Sequence, residues 1–166
     1  MSSVFGSSVV CNAGPLIGLA RIQLEWLPFE LFSEVIVPEE VCQELLIKDA
    51  PDRGPLARVL EQAHIHPRQL ELDRLLLAEL DAGEASAIMA AMQLEASLVL
   101  LDERKARRIA ARVYGLQVKG TAGLLVEAKK HGLIESVGPC LAAMVRGGYF
   151  LGPNLIAACL AAAGEA

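Results

Sequence analysis

The 166-residue sequence is poor in aromatic residues, at 4%, so its core must be built from Leu, Ile, Val and Ala. It has no run near the ~18 apolar residues of a membrane span. The N-terminus lacks the basic stretch and apolar segment of a secretory signal, so no membrane association is expected. The four cysteines, Cys11, Cys42, Cys140 and Cys159, are widely spaced and form no C-x-x-C pair. That spacing argues against a zinc or redox motif and for buried free thiols in a reducing cytoplasm. Basic residues are outnumbered, and a net charge of −5 argues against a protein that coats nucleic acid non-specifically. Repeats and low-complexity linkers are also missing.

What is present is an ordered, aliphatic-rich chain, 54% hydrophobic and 21% charged, long enough for one core. A single domain over residues 1–166 is the expectation. Charge is unevenly distributed: residues 1–102 carry 6 basic and 16 acidic side chains, whereas residues 103–131 carry 8 basic and 2 acidic. Only the second segment suits a polyanion.

Short apolar runs alternate with stretches of helical period, the pattern of βα units around a parallel sheet. Strands are predicted over residues 8–11, 34–37, 64–66, 97–101 and 116–118, the third as an edge strand with His64 and His66 on one face. Pro15 suits a first helical turn, a helix follows through Trp26 and Phe29, and Pro38 starts a helix with Val41, Leu45 and Ile47 inward. Pro51, Gly54 and Pro55 break the chain before a short helix over 56–61. The helical pattern over 75–95 divides at Gly83, which places Glu84 in the first turn of the second helix. Helices are also expected over 103–114, over 121–131 with Gly132 as the stop, and over 140–146 and 154–163.

Residues that immediately follow parallel strands converge at one end of the sheet. Asn12 and Asp102 hold such positions, and Glu44 and Glu84 lie near the starts of helices that reach the same crevice. Clustered carboxylates repel unless a cation neutralises them, and hard oxygens suit Mg²⁺ or Mn²⁺. Each residue has a plainer reading. Asn12 and Asp102 also suit helix caps, Glu84 a helix dipole, and Glu44 a solvated face. After Asp102, Arg104, Lys105, Arg107, Arg108 and Arg112 crowd one helix, of which Arg104, Lys105, Arg108 and Arg112 are the candidate nucleic-acid contacts. Arg104, Arg108 and Arg112 form an i, i+4 stripe that can follow an RNA backbone or remain a solvated face.

Five blocks in register resemble a PIN-domain protein: VVCNAGPLIGLA (9–20), VIVPEEVCQEL (35–45), LDAGEASAI (80–88), LLDERKARRIA (100–110) and VKGTAGLLVEAK (118–129). The resemblance covers residues 8–131, with helices over 136–163 as an appended part. It implies a three-layer α/β/α fold with a central parallel sheet and a Mg²⁺- or Mn²⁺-dependent nuclease site acting on RNA. By motif position Glu44 matches the second acidic residue, Glu84 the third and Asp102 the fourth. Asn12 stands where the family has its first Asp, and Gly14 where Ser is common. The implied function is a metal-dependent endoribonuclease, toxin-like and held by a small antitoxin-like partner. The alternative is a catalytically weakened nucleic-acid-binding or interaction module. Single-stranded RNA is the expected ligand. A homodimer is expected through Leu155, Ile156, Ala158, Cys159, Leu160 and Ala162, which leave the last helix little polar face.

Overall fold

The computed structural model describes residues 8–47, 51–69, 71 and 73–166. The first residues of the expected domain, 1–7, lie outside these. Five strands run β1 (Ser8–Cys11), β2 (Glu34–Pro38), β3 (His64–His66), β4 (Leu98–Leu100) and β5 (Val118–Lys119). All pairings are parallel, in the order β3-β2-β1-β4-β5. Ten helices connect and flank them among the described residues: α1 (Ala13–Arg21), α2 (Leu27–Leu31), α3 (Glu39–Ile47), α4 (Arg53–Leu60), α5 (Arg74–Glu79), α6 (Ala82–Gln93), α7 (Arg104–Arg112), α8 (Thr121–Lys130), α9 (Gly138–Arg146) and α10 (Pro153–Ala162).

The pleat divides the strand residues between two cores. Val9, Cys11, Val35, Val37 and Leu100 face one side, where Leu16, Leu19, Val41, Leu45, Leu124 and Leu141 cover them. Val10, Ile36, Val99 and Leu101 face the other, under Leu76, Ile88, Ala90, Ala106 and Ala110. Successive strand residues point to opposite faces, and a parallel sheet buried on both faces reads as continuous apolar sequence. The result is a three-layer α/β/α sandwich, with α5, α6 and α7 on one face and the remaining helices contributing to the other.

Several boundaries differ from the sequence reading for local reasons. Pro38 ends β2 rather than opening a helix, and α3 begins at Glu39. Ile47, expected inward, is 76% exposed at the last turn of α3. Helix α4 starts at Arg53, so Gly54 and Pro55 lie inside its first turn, where the N–H that proline lacks has no helical partner anyway. The break between α5 and α6 falls at Leu80 and Asp81, not at Gly83. Asp81 is the N-cap of α6, and Gly83 sits within its first turn. The expected edge strand is β3. Its histidines take separate partners, His64 Nδ1 lying 2.9 Å from Glu34 Oε1 and His66 Nε2 3.2 Å from Gln93 Oε1.

The C-terminal helices join the first core. Cys159 is buried and Ile156 packs against it, so part of the apolar face expected for self-association is spent within the chain. Tyr149 and Met144 close on α1 at Gly18, where an added Cβ would stand 2.9 Å from the tyrosine ring. Glu165 completes the attachment. It accepts hydrogen bonds from the N–H groups of Val137 (2.8 Å) and Gly138 (3.0 Å) and pairs with Lys129 Nζ at 2.9 Å. These donors hold its carboxyl down at about 2. All four cysteines are free thiols, and burial pushes Cys11 up to about 12 and Cys42 to about 11. No helix among the described residues is long and apolar enough to cross a membrane.

Candidate functional site

In the order β3-β2-β1-β4-β5 the direction of winding reverses between β1 and β4, and crevices in open α/β sheets form at the carboxyl ends of such a pair. Asn12 follows β1, and its N–H donates to Leu100 O of β4 at 3.2 Å. Asp102 follows β4 by two residues, and the ladder extends past the assigned strand, with Leu101 N–H donating to Lys119 O at 3.0 Å. The backbones of the two residues are thus neighbours, but their side chains are not directed alike.

Asn12 is the N-cap residue of α1 by position, yet its side chain makes no capping bond. It is 9% exposed, and its Oδ1 is buried without a hydrogen-bond partner. The neighbours of that oxygen are on α3 and α6, which approach each other at this end of the sheet. A Cβ built at Gly83 would lie 3.2 Å from Glu44 Oε2, 3.3 Å from Asn12 Oδ1 and 3.5 Å from Asp81 Oδ1. Three oxygens from three segments therefore ring one corner, and glycine keeps it open. An open depression of about 340 Å³ leads to it, lined by Glu40, Gln43, Glu44, Arg68, Asp81, Ala82 and Gly83.

Glu84 begins the same helix one residue further on. Asp81 Oδ1 accepts its N–H at 2.8 Å and Glu84 Oε2 accepts the Asp81 N–H at 3.4 Å, a reciprocal capping box. Its carboxyl sits above the usual range, first because of burial and then because of Asp81, with Glu103 and Glu44 adding smaller repulsions against the opposing backbone bond. Glu44, Asp81, Glu84 and Glu103 thus share one field.

Asp102 faces elsewhere. Its Oδ1 accepts from Thr121 N–H and its Oδ2 from Thr121 Oγ1, both at 2.7 Å. The pleat explains this: Leu101 points to the face of α6, so the next residue points to the opposite face, where α8 starts. Asp102 therefore caps α8 from a neighbouring loop, while α7 takes Glu103 as its own cap. Arg107 lies behind it, donating to Asp102 O at 2.5 Å and Leu101 O at 3.4 Å. Burial raises the Asp102 carboxyl, and the Thr121 bonds and Arg107 offset this in part.

Of the four residues expected to share the site, Asn12 and Glu44 meet at Gly83 and Glu84 joins their field, whereas Asp102 neighbours Asn12 only through the backbone and turns its carboxylate away to Thr121. Among the described residues no three His, Cys, Asp or Glu side chains gather tightly enough to hold a metal. The donors at Gly83 are two carboxylates and one amide. Hard oxygens of this kind, with a buried and unsatisfied amide oxygen among them, fit a Mg²⁺ or Mn²⁺ ion. Asn12 and Glu44 contribute two of the oxygens at that corner and Asp81 the third, with Glu84 one residue beyond Gly83.

Arg104, Lys105, Arg108 and Arg112 all lie on the exposed face of α7, opposite buried Ala106 and Ala110. Lys105 is paired with Glu79 at 2.6 Å, which leaves the three arginines as the open stripe. Sequence reasoning missed Asp81, Glu103 and Thr121, and placed Arg107 on the basic helix without its bonds to the Asp102 loop. The D-x-x-E spacing from Asp81 to Glu84 is a legible capping-box signal, whereas nothing local announces that Thr121 receives Asp102. A larger depression of about 410 Å³, lined by Phe29, Glu34 and His64 among others, lies at the amino ends of β2 and β3, away from these acids.

One stability test follows from Asp102. A carboxyl raised by folding binds more protons in the native than in the unfolded state, so its contribution is present at low pH and lost as pH rises through the folded value. Asp102→Asn keeps an acceptor for Thr121 N–H and removes the buried charge. Urea titrations from pH 4 to 7 without metal are expected to show a smaller loss of stability with rising pH in the variant. Identical pH slopes would assign the effect to other groups.

The parallel sheet and its two covering layers define a three-layer α/β/α protein with acidic residues after its strands. A family model described as a PIN domain matches residues 8–165, and the chain belongs to that family. The match continues through the C-terminal helices, beyond the blocks that carry the resemblance in sequence. No curated protein matches the chain.

Proposed function

We propose that the protein is a metal-dependent endoribonuclease of PIN type that hydrolyses RNA phosphodiester bonds with Mg²⁺ or Mn²⁺, acting as a single domain. The observation that carries this reading is the buried, unpartnered Oδ1 of Asn12 beside Glu44 Oε2 at Gly83. A buried acceptor left unsatisfied costs ~1–3 kcal/mol, and a cation bound among the acids removes that cost along with their mutual repulsion. When bound, the cation supplies Lewis acidity and lowers the pKa of water.

The chain's own residues do the rest. Asn12, Glu44 and Glu84 fix the donor corner, and two hydrogen bonds donated by Thr121 hold the Asp102 carboxylate at the neighbouring strand end. Arg104, Arg108 and Arg112 offer cations at successive turns to hold a single-stranded backbone by its phosphates. Arg107 keeps the Asp102 loop in place through two carbonyls. The neutral amide at position 12 gives one negative charge fewer than a carboxylate, so activity is weak.

Cleavage of a fluorescent single-stranded RNA with Mn²⁺, with EDTA, and with the Glu44→Gln, Asp102→Asn double variant tests the reading. Slow cleavage that disappears with EDTA and in the variant is expected. Metal-dependent RNA binding without cleavage would favour the alternative, a catalytically weakened binding module, for which the single observation is again Asn12. A toxin-like role, held by a small antitoxin-like protein in the cytoplasm, belongs to the same proposal. So does a homodimer, supported by the exposure of Val145, Phe150 and Leu155 on and between the C-terminal helices.

A further inference from the structure

Position 12 lacks a charge, and the corner it faces has another source for it. We propose that Asp81 is a cation ligand of this protein, joining Asn12 and Glu44 at Gly83 and supplying the negative charge that Asn12 does not bring. The inference rests on the metal-dependent reading above and adds a residue to its site.

Three observations support it. Asp81 Oδ1, Asn12 Oδ1 and Glu44 Oε2 all lie within 3.5 Å of a single point, the place a Cβ would take on Gly83. Asn12 Oδ1, on a side chain nine-tenths buried, has no partner and is aimed into that corner. Asp81 and Glu44 both line the depression of about 340 Å³ that opens onto that corner, so an ion from solvent reaches both carboxylates. Its capping bond to Glu84 N–H occupies one lone pair of Oδ1. A carboxylate has about four acceptor directions, so capping and coordination are compatible.

Helix caps of Asp, Asn and Ser are nearly equivalent, which permits a variant that loses the charge and keeps the helix start. Mn²⁺ binding is measured by calorimetry for the wild type, Asp81→Asn and Asp81→Ser, with thermal unfolding of each metal-free protein. The expected result is a Kd raised roughly tenfold in both variants, as cation affinity follows ligand charge, with metal-free melting temperatures unchanged or higher. Asn12→Asp introduced into Asp81→Asn should restore the affinity. Equal Kd values for the wild type and both variants would overturn the assignment of Asp81, and so would a wild type that binds no Mn²⁺. Asp81-dependent Mn²⁺ binding in a protein that cleaves no RNA would leave Asp81 as a ligand and sink the nuclease reading alone.

Discussion

Asn12→Asp is expected to bind Mn²⁺ or Mg²⁺ at least ~10-fold more tightly than the wild type and to cleave RNA faster, because ligand charge sets cation affinity at oxygen sites. The substitution is nearly isosteric, so the fold is retained. The cost falls on the metal-free state. Asn12 is buried beside Glu44, and a carboxylate there joins a field that already raises Glu84. Burying an uncompensated charge next to others destabilises, so the metal-free melting temperature drops, and Mn²⁺ reverses the loss. Calorimetry, RNA cleavage and melting with and without Mn²⁺ check each limb. Unchanged affinity and cleavage would reduce position 12 to a buried helix-start residue.

The second large effect is expected at Gly83. Alanine is favoured over glycine inside helices by up to ~1 kcal/mol, and Gly83 lies in the first turn of α6. On propensity alone Gly83→Ala stabilises the protein. The new methyl group, however, stands 3.2 Å from Glu44 Oε2 and 3.3 Å from Asn12 Oδ1. Glu44 is exposed and swings away, while Asn12 is buried and has little room to follow. The corner is then filled, and the oxygens are held apart where coordination at ~2.1 Å needs them to close. The expected result is a metal-free melting temperature equal to or above that of the wild type, with Mn²⁺ affinity and cleavage reduced at least ~10-fold. A variant that keeps full Mn²⁺ affinity would show that the cation does not bind at this corner.

Both predictions concern distances that no local pattern contains. The alternation of apolar runs with helical stretches marked β1, β2 and β4, because a strand buried on both faces must be apolar throughout. Ser8–Cys11 and His64–His66 were legible to the residue. Helix starts were less so. Pro38 could close a strand or open a helix, and Gly83 could break a helix or open a space inside one. The neighbours of these residues decide between the readings, and they are distant in sequence. Ile47 follows helical spacing yet ends exposed, since periodicity describes a face and not what covers it.

The sequence by itself determined a parallel α/β sandwich with acids at its carboxyl ends, an aliphatic core, free thiols and a basic helix after Asp102. These follow from composition and short-range order, which propensity and pleat translate directly into structure. Only the tertiary structure decided where the side chains at the strand ends point. It turned Asp102 towards Thr121, nineteen residues away along the chain, left Asn12 Oδ1 without a partner, and brought Asp81 to the corner that Glu44 shares. The physical reason is that alternation across the pleat and the packing of α3 against α6 fix those directions jointly, through contacts between segments that no sequence window spans.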